Sequence, residues 1–310
     1  MSLRTDTIER FIWRSNAGLL IALMTTMLSA STSFSQPNQT PTATFGPYLP
    51  SARVPLFVQV PFGLAVPAID RLYVADAGGG ISEIDLPSGS QTWQSKDYAL
   101  PLAYAGGNLY LIKSTNSGAT VSHQIVGVNV NDHHKVVLQS QALPLPSSLQ
   151  LPSDDYEKRF RIQPTIENGT LSVMWRLTKP DSPANSLKQF LHLSTDAPEQ
   201  NGAFNVNLET GAVQNIAFDK NLWQNLCDLH DKQVKPANTC ITATLEPEAV
   251  EYASVDGMLI YMTRTYPTQP TLGSAGVVIK RQLRGRDEKS EHAQWEHELP
   301  AIFVPAARTF

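Results

Sequence analysis

One sequence unit recurs along this chain, and its recurrence limits the possible folds more than any other feature. Residues 72–93 read LYVADAGGGISEIDLPSGSQTW, in which short apolar runs are separated by three glycines and by a Pro-Ser-Gly turn. Because glycine and proline mark the turns between strands, this stretch predicts strands over residues 72–75, 81–86 and 90–94. The natural completion of the unit is a four-stranded antiparallel meander.

The same unit returns three more times. After a turn containing Gly, Asn or Asp, an apolar strand recurs at 108–112, 170–174 and 258–262. The strand that follows recurs at 84–89, 128–133, 206–211 and, more weakly, 279–285, and an outer strand recurs at 91–94, 135–138, 213–218 and 292–296. Four-stranded repeats of roughly 40–50 residues predict the blades of a β-propeller. We therefore expect an all-β chain that forms a propeller of four or more antiparallel blades, with a sandwich or a barrel as the alternative.

A family resemblance rests on the first of these units. The sequence Ile-Asp-Leu-Pro-Ser-Gly at 84–89, followed by Trp93, resembles the repeat of the quinoprotein-like (PQQ-repeat) β-propellers. The third unit is similar in residues 206–211, and the last keeps Trp295 at the place equivalent to Trp93. In that family an aromatic residue of the outer strand stacks on the neighbouring blade. The resemblance therefore implies that Trp93 and Trp295 are structural aromatic residues, at least partly buried against adjacent blades.

The resemblance implies two different classes of function. Some members are dehydrogenases that use pyrroloquinoline quinone and commonly carry two adjacent cysteines and a calcium site, but this sequence has neither adjacent cysteines nor an obvious acidic cluster. Other members are non-catalytic scaffolds, such as the one that serves outer-membrane barrel assembly. We expect a scaffold that binds a protein or ligand and uses no cofactor. The alternative is a propeller enzyme, either a metal-dependent hydrolase or lactonase or a quinoprotein dehydrogenase.

The N-terminal region predicts export. Residues 1–36 combine Arg4, Arg10 and Arg14 with an uncharged core at 17–28 and a small-x-small site at 33–35, with another candidate site at 28–30, which is typical of a cleaved signal peptide. An uncleaved signal anchor is the alternative. Residues 37–51 are rich in Pro, Thr, Gln and Ser and predict a flexible linker, which leaves 52–310 for a single propeller domain. We expect a periplasmic or secreted protein without a stable membrane span, whose partner is an envelope or extracellular protein.

Two insertions and two terminal runs interrupt or flank the repeats. Residues 178–200 are rich in turn residues, and residues 219–248 contain Leu222, Leu226 and Leu229 at helical spacing. Both insertions are predicted to lie on one face of the propeller and to recognise the partner. The apolar runs at 54–60 and 301–304 are candidates for closing the ring by sharing one blade.

The second insertion also carries the only two cysteines, Cys227 and Cys240. In an exported chain, an even number of cysteines separated by a short loop favours a disulfide. Two buried thiols or a metal-binding pair are the alternatives. The predicted site residues are accordingly the disulfide cysteines and the two repeat tryptophans.

No catalytic or metal-binding residue can be assigned from the remaining sequence. Asp132, His133 and His134 are adjacent, but they fall on a predicted turn, where polar residues are usual. A basic run with Arg281, Arg284 and Arg286 is followed at once by acidic residues, which favours a solvated strand and loop. The net charge of −4 argues against a nucleic acid partner.

Overall fold

Consecutive stretches of the chain form four antiparallel β-sheets. The computed structural model describes residues 56–118, 120–147, 149, 151, 154–155, 158–178, 200–240, 243–266 and 276–305. All of them belong to the unit Val54–Phe310. The predicted signal peptide and linker, at 1–36 and 37–51, lie outside the described residues, and both stay predictions.

Sheets A and B come first in the chain, and in each of them strands that are neighbours in sequence pair with one another. Sheet A contains β1 (Val58–Val60), β2 (Gly63–Val66), β3 (Arg71–Ala75), β4 (Ile81–Asp85) and β5 (Gln91–Ser95). Sheet B contains β6 (Leu100–Ala105), β7 (Asn108–Ser117), β8 (Thr120–Asn129) and β9 (Lys135–Gln139).

Sheets C and D follow with the same meander order. Sheet C contains β10 (Asp154–Asp155), β11 (Lys158–Glu167), β12 (Thr170–Thr178), β13 (Gln200–Asn207) and β14 (Val213–Ile216). Sheet D contains β15 (Lys235–Pro236), β16 (Ala249–Val255), β17 (Met258–Thr265), β18 (Gly276–Asp287) and β19 (Trp295–Pro305). Helix α1 (Lys220–Gln233) lies between the two sheets in sequence.

Each of the four predicted sequence units forms one sheet. The predicted apolar strands are β3, β7, β12 and β17, and the predicted outer strands are β5, β9, β14 and β19. The turns that join them have the expected chemistry: Asn168 and Gly169 between β11 and β12 have φ of 49° and 72°, as a tight hairpin requires. The local sequence signals therefore predicted these strands, except that the last outer strand, predicted at 292–296, begins only at Trp295. The predicted all-β fold of four-stranded units needs two corrections: sheets A, C and D each contain a fifth strand, and the chain contains helix α1.

The sheets pack face to face in the order D, A, B, C. Since successive side chains of a strand point to opposite faces, the central strands β2, β3 and β4 of sheet A each contribute to two cores. On β3, Leu72 packs towards sheet D, with Met262 and Leu283, and Tyr73 packs towards sheet B, with Leu109. Sheets B and C share a third core, which includes Tyr110, Ile125, Val173 and Phe204.

Other parts of the chain cover the remaining faces of sheets C and D. Helix α1 packs Trp223 and Cys227 against Met174 and Ala203 of sheet C. The segment after the helix packs on sheet D, where the buried cluster contains Cys240, Ala243, Leu245, Tyr252, Leu259 and Tyr261. Within the described ranges, no apolar cluster contains residues of both sheet C and sheet D.

Helix α1 begins where Asp219 accepts hydrogen bonds from the backbone N–H groups of Asn221 (2.8 Å) and Leu222 (3.1 Å). The leucine spacing predicted a helix here, and the helix is present. However, Leu222 and Leu229 are 47% and 55% exposed, because the side that carries Trp223 packs on sheet C. In the part of the chain that the structure describes, no helix is long and apolar enough to cross a membrane.

The prediction that the two terminal apolar runs share one blade is wrong. The first run contributes β1, which pairs with β2 in sheet A, and the second belongs to β19, which pairs with β18 in sheet D. Each sheet is instead completed by strands that are consecutive in sequence.

Candidate binding cleft

All four sheets and helix α1 border one cleft with a volume of about 290 Å³. Its walls are residues 59–63 of sheet A, 100–102 of sheet B and 160–164 of sheet C, together with His230 of α1 and Glu251 of sheet D. These residues belong to the early strands of each sheet or to the turn beside them. The cleft therefore lies where the four sheets approach one another.

The last turn of helix α1 is fixed at the edge of this cleft. The backbone N–H of Gln59 on β1 donates a 3.0 Å hydrogen bond to Oε1 of Gln233, the last residue of the helix. One turn earlier, the carbonyl of His230 accepts a hydrogen bond of 2.8 Å from the N–H of Val234. The hydrogen bond from Gln59 thus fixes the end of the helix to sheet A, close to where His230 lines the cleft.

Strand β11 brings two polar side chains to the cleft from the same face of sheet C. Arg161 is exposed, whereas Gln163, two residues further on, is only 8% exposed. Among the described residues, the Gln163 amide has no hydrogen-bond partner. Gln163 is thus available to a ligand in the cleft.

Burial changes the ionisation of the other polar groups at the cleft. It raises the pKa of the Glu251 carboxyl, although the nearby guanidinium groups of Arg264 and Arg161 act in the opposite direction. It also lowers the pKa of His230, which a contact with Asp231 only partly offsets. At neutral pH His230 is therefore mainly uncharged, and Arg161 supplies an exposed positive charge.

This set of groups is suited to binding. The Arg161 guanidinium offers a fork of N–H donors, the Gln163 amide offers a donor and an acceptor, and Phe62 and Phe160 supply apolar walls. Within the described ranges, no group of three or more His, Cys, Asp or Glu side chains could hold a metal ion. The cleft can therefore bind a ligand that has both an apolar part and a polar or charged part.

A second, more open depression of about 590 Å³ lies over sheet D and is lined by Cys240, Glu246 and their neighbours. Its polar groups are already paired. The hydroxyl of Tyr261 donates a 3.0 Å hydrogen bond to Oε1 of Glu246, and Arg284 pairs with Oε2 of the same carboxylate. The depression thus offers fewer uncommitted groups than the cleft.

Trp93 and Trp295 occupy equivalent places on the outer strands β5 and β19, opposite Glu83 and Gly285. Trp295 is 7% exposed, and its Nε1 donates a 2.8 Å hydrogen bond to the carbonyl of Leu86 in sheet A. Trp93 is half-buried. Its ring stacks on the imidazole of His134 in sheet B, with centroids 4.1 Å apart and an angle of 7° between the planes.

The cluster of Asp132, His133 and His134 lies in the turn between β8 and β9. Nε2 of His134 is 2.6 Å from Oε2 of Glu83, a buried carboxylate of sheet A. Although burial raises the pKa of Glu83, hydrogen bonds from His134, Thr92 and Tyr73 outweigh this effect and hold the pKa below its ordinary value. His134 thus links sheets A and B.

The prediction of a solvated basic strand is wrong, since Arg281 and Arg286 on β18 are only 2% and 3% exposed. Arg281 lies 4.1 Å from the ring centroid of Phe62 and donates to the carbonyl of Pro300. Burial lowers its pKa to about 10. The reason is that β18 packs on sheet A here, where the Phe62 ring covers the Arg281 guanidinium.

The predicted disulfide is not formed in this structure, in which no bond joins Cys227 to Cys240. Cys227 packs with Trp223 against sheet C, whereas Cys240 belongs to the apolar cluster of sheet D. Burial raises the pKa of the Cys227 thiol, although the Arg161 guanidinium opposes this.

Sequence reasoning did not single out Arg161, Gln163, His230 or Glu251, because they come from three separate elements and form no motif. The one available signal is positional: Gln163 and Glu251 each stand five residues before the turn residue Asn168 or Asp256, both of which have positive φ. No protein family model matches the chain, and no curated protein sequence matches it either.

Proposed function

We propose that this protein is an exported binding scaffold. Its four sheets act as the blades of a small propeller similar to the PQQ-repeat type, and the cleft between them holds part of a protein or ligand of the cell envelope. The observation that carries the proposal is the cleft itself, where an exposed Arg161 and a buried, unpartnered Gln163 lie side by side.

Contacts between successive sheets support the arrangement as blades. In each case the outer strand of one sheet, or the residues just after it, contacts the turn before the outer strand of the next sheet. Trp295 of sheet D contacts Leu86 of sheet A, and Trp93 of sheet A contacts His134 of sheet B. After sheet B, the N–H of Gln141 donates a 2.9 Å hydrogen bond to the carbonyl of Gly211 in sheet C.

Sheets C and D would complete the ring. Strands β10 of sheet C and β19 of sheet D have Cα atoms within 8 Å of one another, which is consistent with neighbouring blades. Helix α1 and the segment after it cover the facing sides of these two sheets. This junction would then differ from the other three because it contains the insertion.

The insertion also favours recognition at the cleft. Helix α1 contributes His230 to the cleft wall, so the segment that sequence analysis assigned to partner binding borders the polar groups of the cleft. The other predicted recognition insertion, at 178–200, lies almost entirely outside the described residues. Export rests on the predicted signal peptide, and an envelope partner follows from it.

Photocrosslinking from within the cleft tests this proposal. We would replace Phe160, an aromatic residue of the cleft wall, by p-benzoylphenylalanine and irradiate cells that express the full chain. The matched control places the same residue at Val137, which is 52% exposed on the outer strand β9 and does not line the cleft. We expect a discrete envelope partner to be crosslinked from Phe160 and not from Val137.

Equal products from both positions, or none from Phe160, would contradict the proposal. Metal analysis of the same purified protein addresses the alternative function. A propeller hydrolase should retain about one calcium or transition metal ion per chain, and such a result would favour the enzyme over the scaffold.

A further inference from the structure

The charge of the cleft favours an anionic group in its ligand. Arg161 is exposed, and no carboxylate of the described residues forms an ion pair with it. The carboxyl group of Glu251 lies near a second guanidinium, that of Arg264, which offsets any negative charge that Glu251 carries. His230 is mainly neutral at physiological pH because burial lowers its pKa. The Glu251 carboxyl group thus lies near two guanidinium groups, those of Arg161 and Arg264, so this side of the cleft keeps an excess of positive charge.

The side-chain amide of Gln163 adds a directional hydrogen-bonding group beside the Arg161 charge. Gln163 lies two residues from Arg161 along β11, about 7 Å away and on the same face of the strand. It is more than nine-tenths buried, lines the cleft and has no hydrogen-bond partner among the described residues. A planar anion of two oxygens matches this pair, because guanidinium groups bind carboxylates through two parallel hydrogen bonds and an amide N–H can donate a further one.

The apolar walls and the volume of the cleft limit the chemistry and the size of the rest of the ligand. Phe62, Phe160 and Val234 present apolar surface, and the cleft volume of about 290 Å³ is at the small end of ligand sites. A space of this size suits a single amino-acid residue or a small acid. It is too small for a helix or for several residues of a bound strand.

We propose that the cleft is a binding site for a carboxylate attached to an apolar group, with the carboxylate held by Arg161 and Gln163 and the apolar group held by Phe62 and Phe160. Two sources share this chemistry: a free small acid and the last residue of a protein chain. The choice of a chain end as the source rests on the proposed scaffold function. The carboxylate itself does not depend on that function.

Titration calorimetry with matched acids and amides tests the carboxylate. The probes are N-acetyl-leucine and N-acetyl-phenylalanine, their C-terminal amides, and acetylated tripeptides that end in the same residues. Binding is located through the indole ¹⁵N–H resonance of Trp175, because the Trp175 ring lies 6.4 Å from that of Phe160. We expect the acids to bind about tenfold or more tightly than the amides, and to shift this resonance.

Two variants assign the contact to Arg161. Arg161→Gln should weaken binding of the acids about tenfold or more, whereas Lys135→Gln, which removes a positive charge from the exposed strand β9, should leave binding unchanged. Gln163→Leu provides a second cleft variant if Arg161→Gln does not fold. Three results would each overturn the proposal. They are equal binding of acid and amide, no binding of any acid at about 10 mM, and an Arg161→Gln variant that binds the acids as tightly as the parent does.

The source of the carboxylate follows from the tripeptides. Tighter binding of the tripeptide acids than of the single residues indicates a chain end, and equal binding indicates a free small acid; both results support the site.

The result of the calorimetry can also be separated from the result of photocrosslinking. A partner crosslinked from Phe160 with no preference for acids would remove only the carboxylate assignment, and acid binding without a crosslinked partner would remove only the protein scaffold.

Discussion

The indole Nε1 of Trp295 donates a 2.8 Å hydrogen bond to the carbonyl oxygen of Leu86, which lies 209 residues earlier in the chain. This contact fastens the last sheet to the first. The indole also fits closely between two glycines: a Cβ added at Gly89 or at Gly285 would lie 2.0 Å from an atom of the Trp295 side chain. The fit leaves no room for a side chain at either position.

We expect Gly89→Ala to destabilise the protein more than Gly106→Ala does. Both glycines have positive φ, 68° and 57°, so both substitutions carry the backbone cost of about 1–2 kcal/mol. Only the new Cβ at position 89 meets Trp295, since nothing lies within 4 Å of the corresponding atom at position 106. Urea unfolding measures the difference. Equal losses of stability would show that the indole does not pack as described.

Two substitutions of Trp295 separate its hydrogen bond from its packing. Trp295→Phe keeps most of the apolar contact with sheet A and loses the bond to Leu86, which should cost about 1 kcal/mol for the bond alone. Trp295→Ala also leaves a cavity in the core shared with sheet D and should cost about 3–5 kcal/mol. A Trp295→Ala variant as stable as the parent in urea would contradict the contact between the two sheets.

The strands and the sheet order could be predicted from the sequence because the signals for them are local. Apolar runs define strands such as β7, and turn residues such as Asn168 and Gly169 define where the chain reverses. The burial of Arg281 and Arg286 could not be predicted in this way. Their burial depends on packing between segments that are far apart in sequence, such as the packing of Arg281 on Phe62 of sheet A.

The cleft could not be predicted for a related reason. Arg161, His230 and Glu251 belong to β11, α1 and β16, and nothing in the local sequence of any of them marks a site. Their proximity depends on the packing of four sheets and on the hydrogen bond between Gln59 and Gln233. Sequence analysis did identify the insertion that contains His230, because an insertion between repeats is a local feature.

Glu251 should make stability depend on pH. Because burial raises its pKa in the folded protein, the folded state holds this proton more tightly than the unfolded state does. The wild-type protein should therefore lose stability as pH rises from about 4.3, the ordinary pKa of glutamate, through the raised value. Glu251→Gln should lack this loss, so its stability relative to the parent should increase across that range and then level off.

Thermal unfolding of the parent and of Glu251→Gln between about pH 4 and pH 8 measures this effect. Glu248→Gln, which changes an exposed carboxyl group near the start of the same strand, is the control. A stability difference between Glu251→Gln and the parent that stays constant or decreases with pH would contradict the burial of the Glu251 carboxyl group.

The proposal that the protein is exported predicts where its mature N-terminus lies. Signal peptidase should remove about the first thirty to thirty-five residues, because the apolar core is short and small residues follow it. N-terminal sequencing of protein purified from the envelope fraction checks this. Protein that still begins at Met1 would show that the segment is retained.

The central claim is that the cleft is a binding site rather than a gap left by packing, and Gln163→Leu tests it most directly. The substitution removes an amide that has no partner among the described residues and replaces it with an apolar side chain of similar size. Thermal unfolding and photocrosslinking from Phe160 would be measured on the same variant. We predict a melting temperature equal to or above that of the parent, together with a loss of about tenfold or more in crosslinked partner. A melting temperature several degrees below the parent's, with crosslinking retained, would show that Gln163 serves the fold and not a ligand.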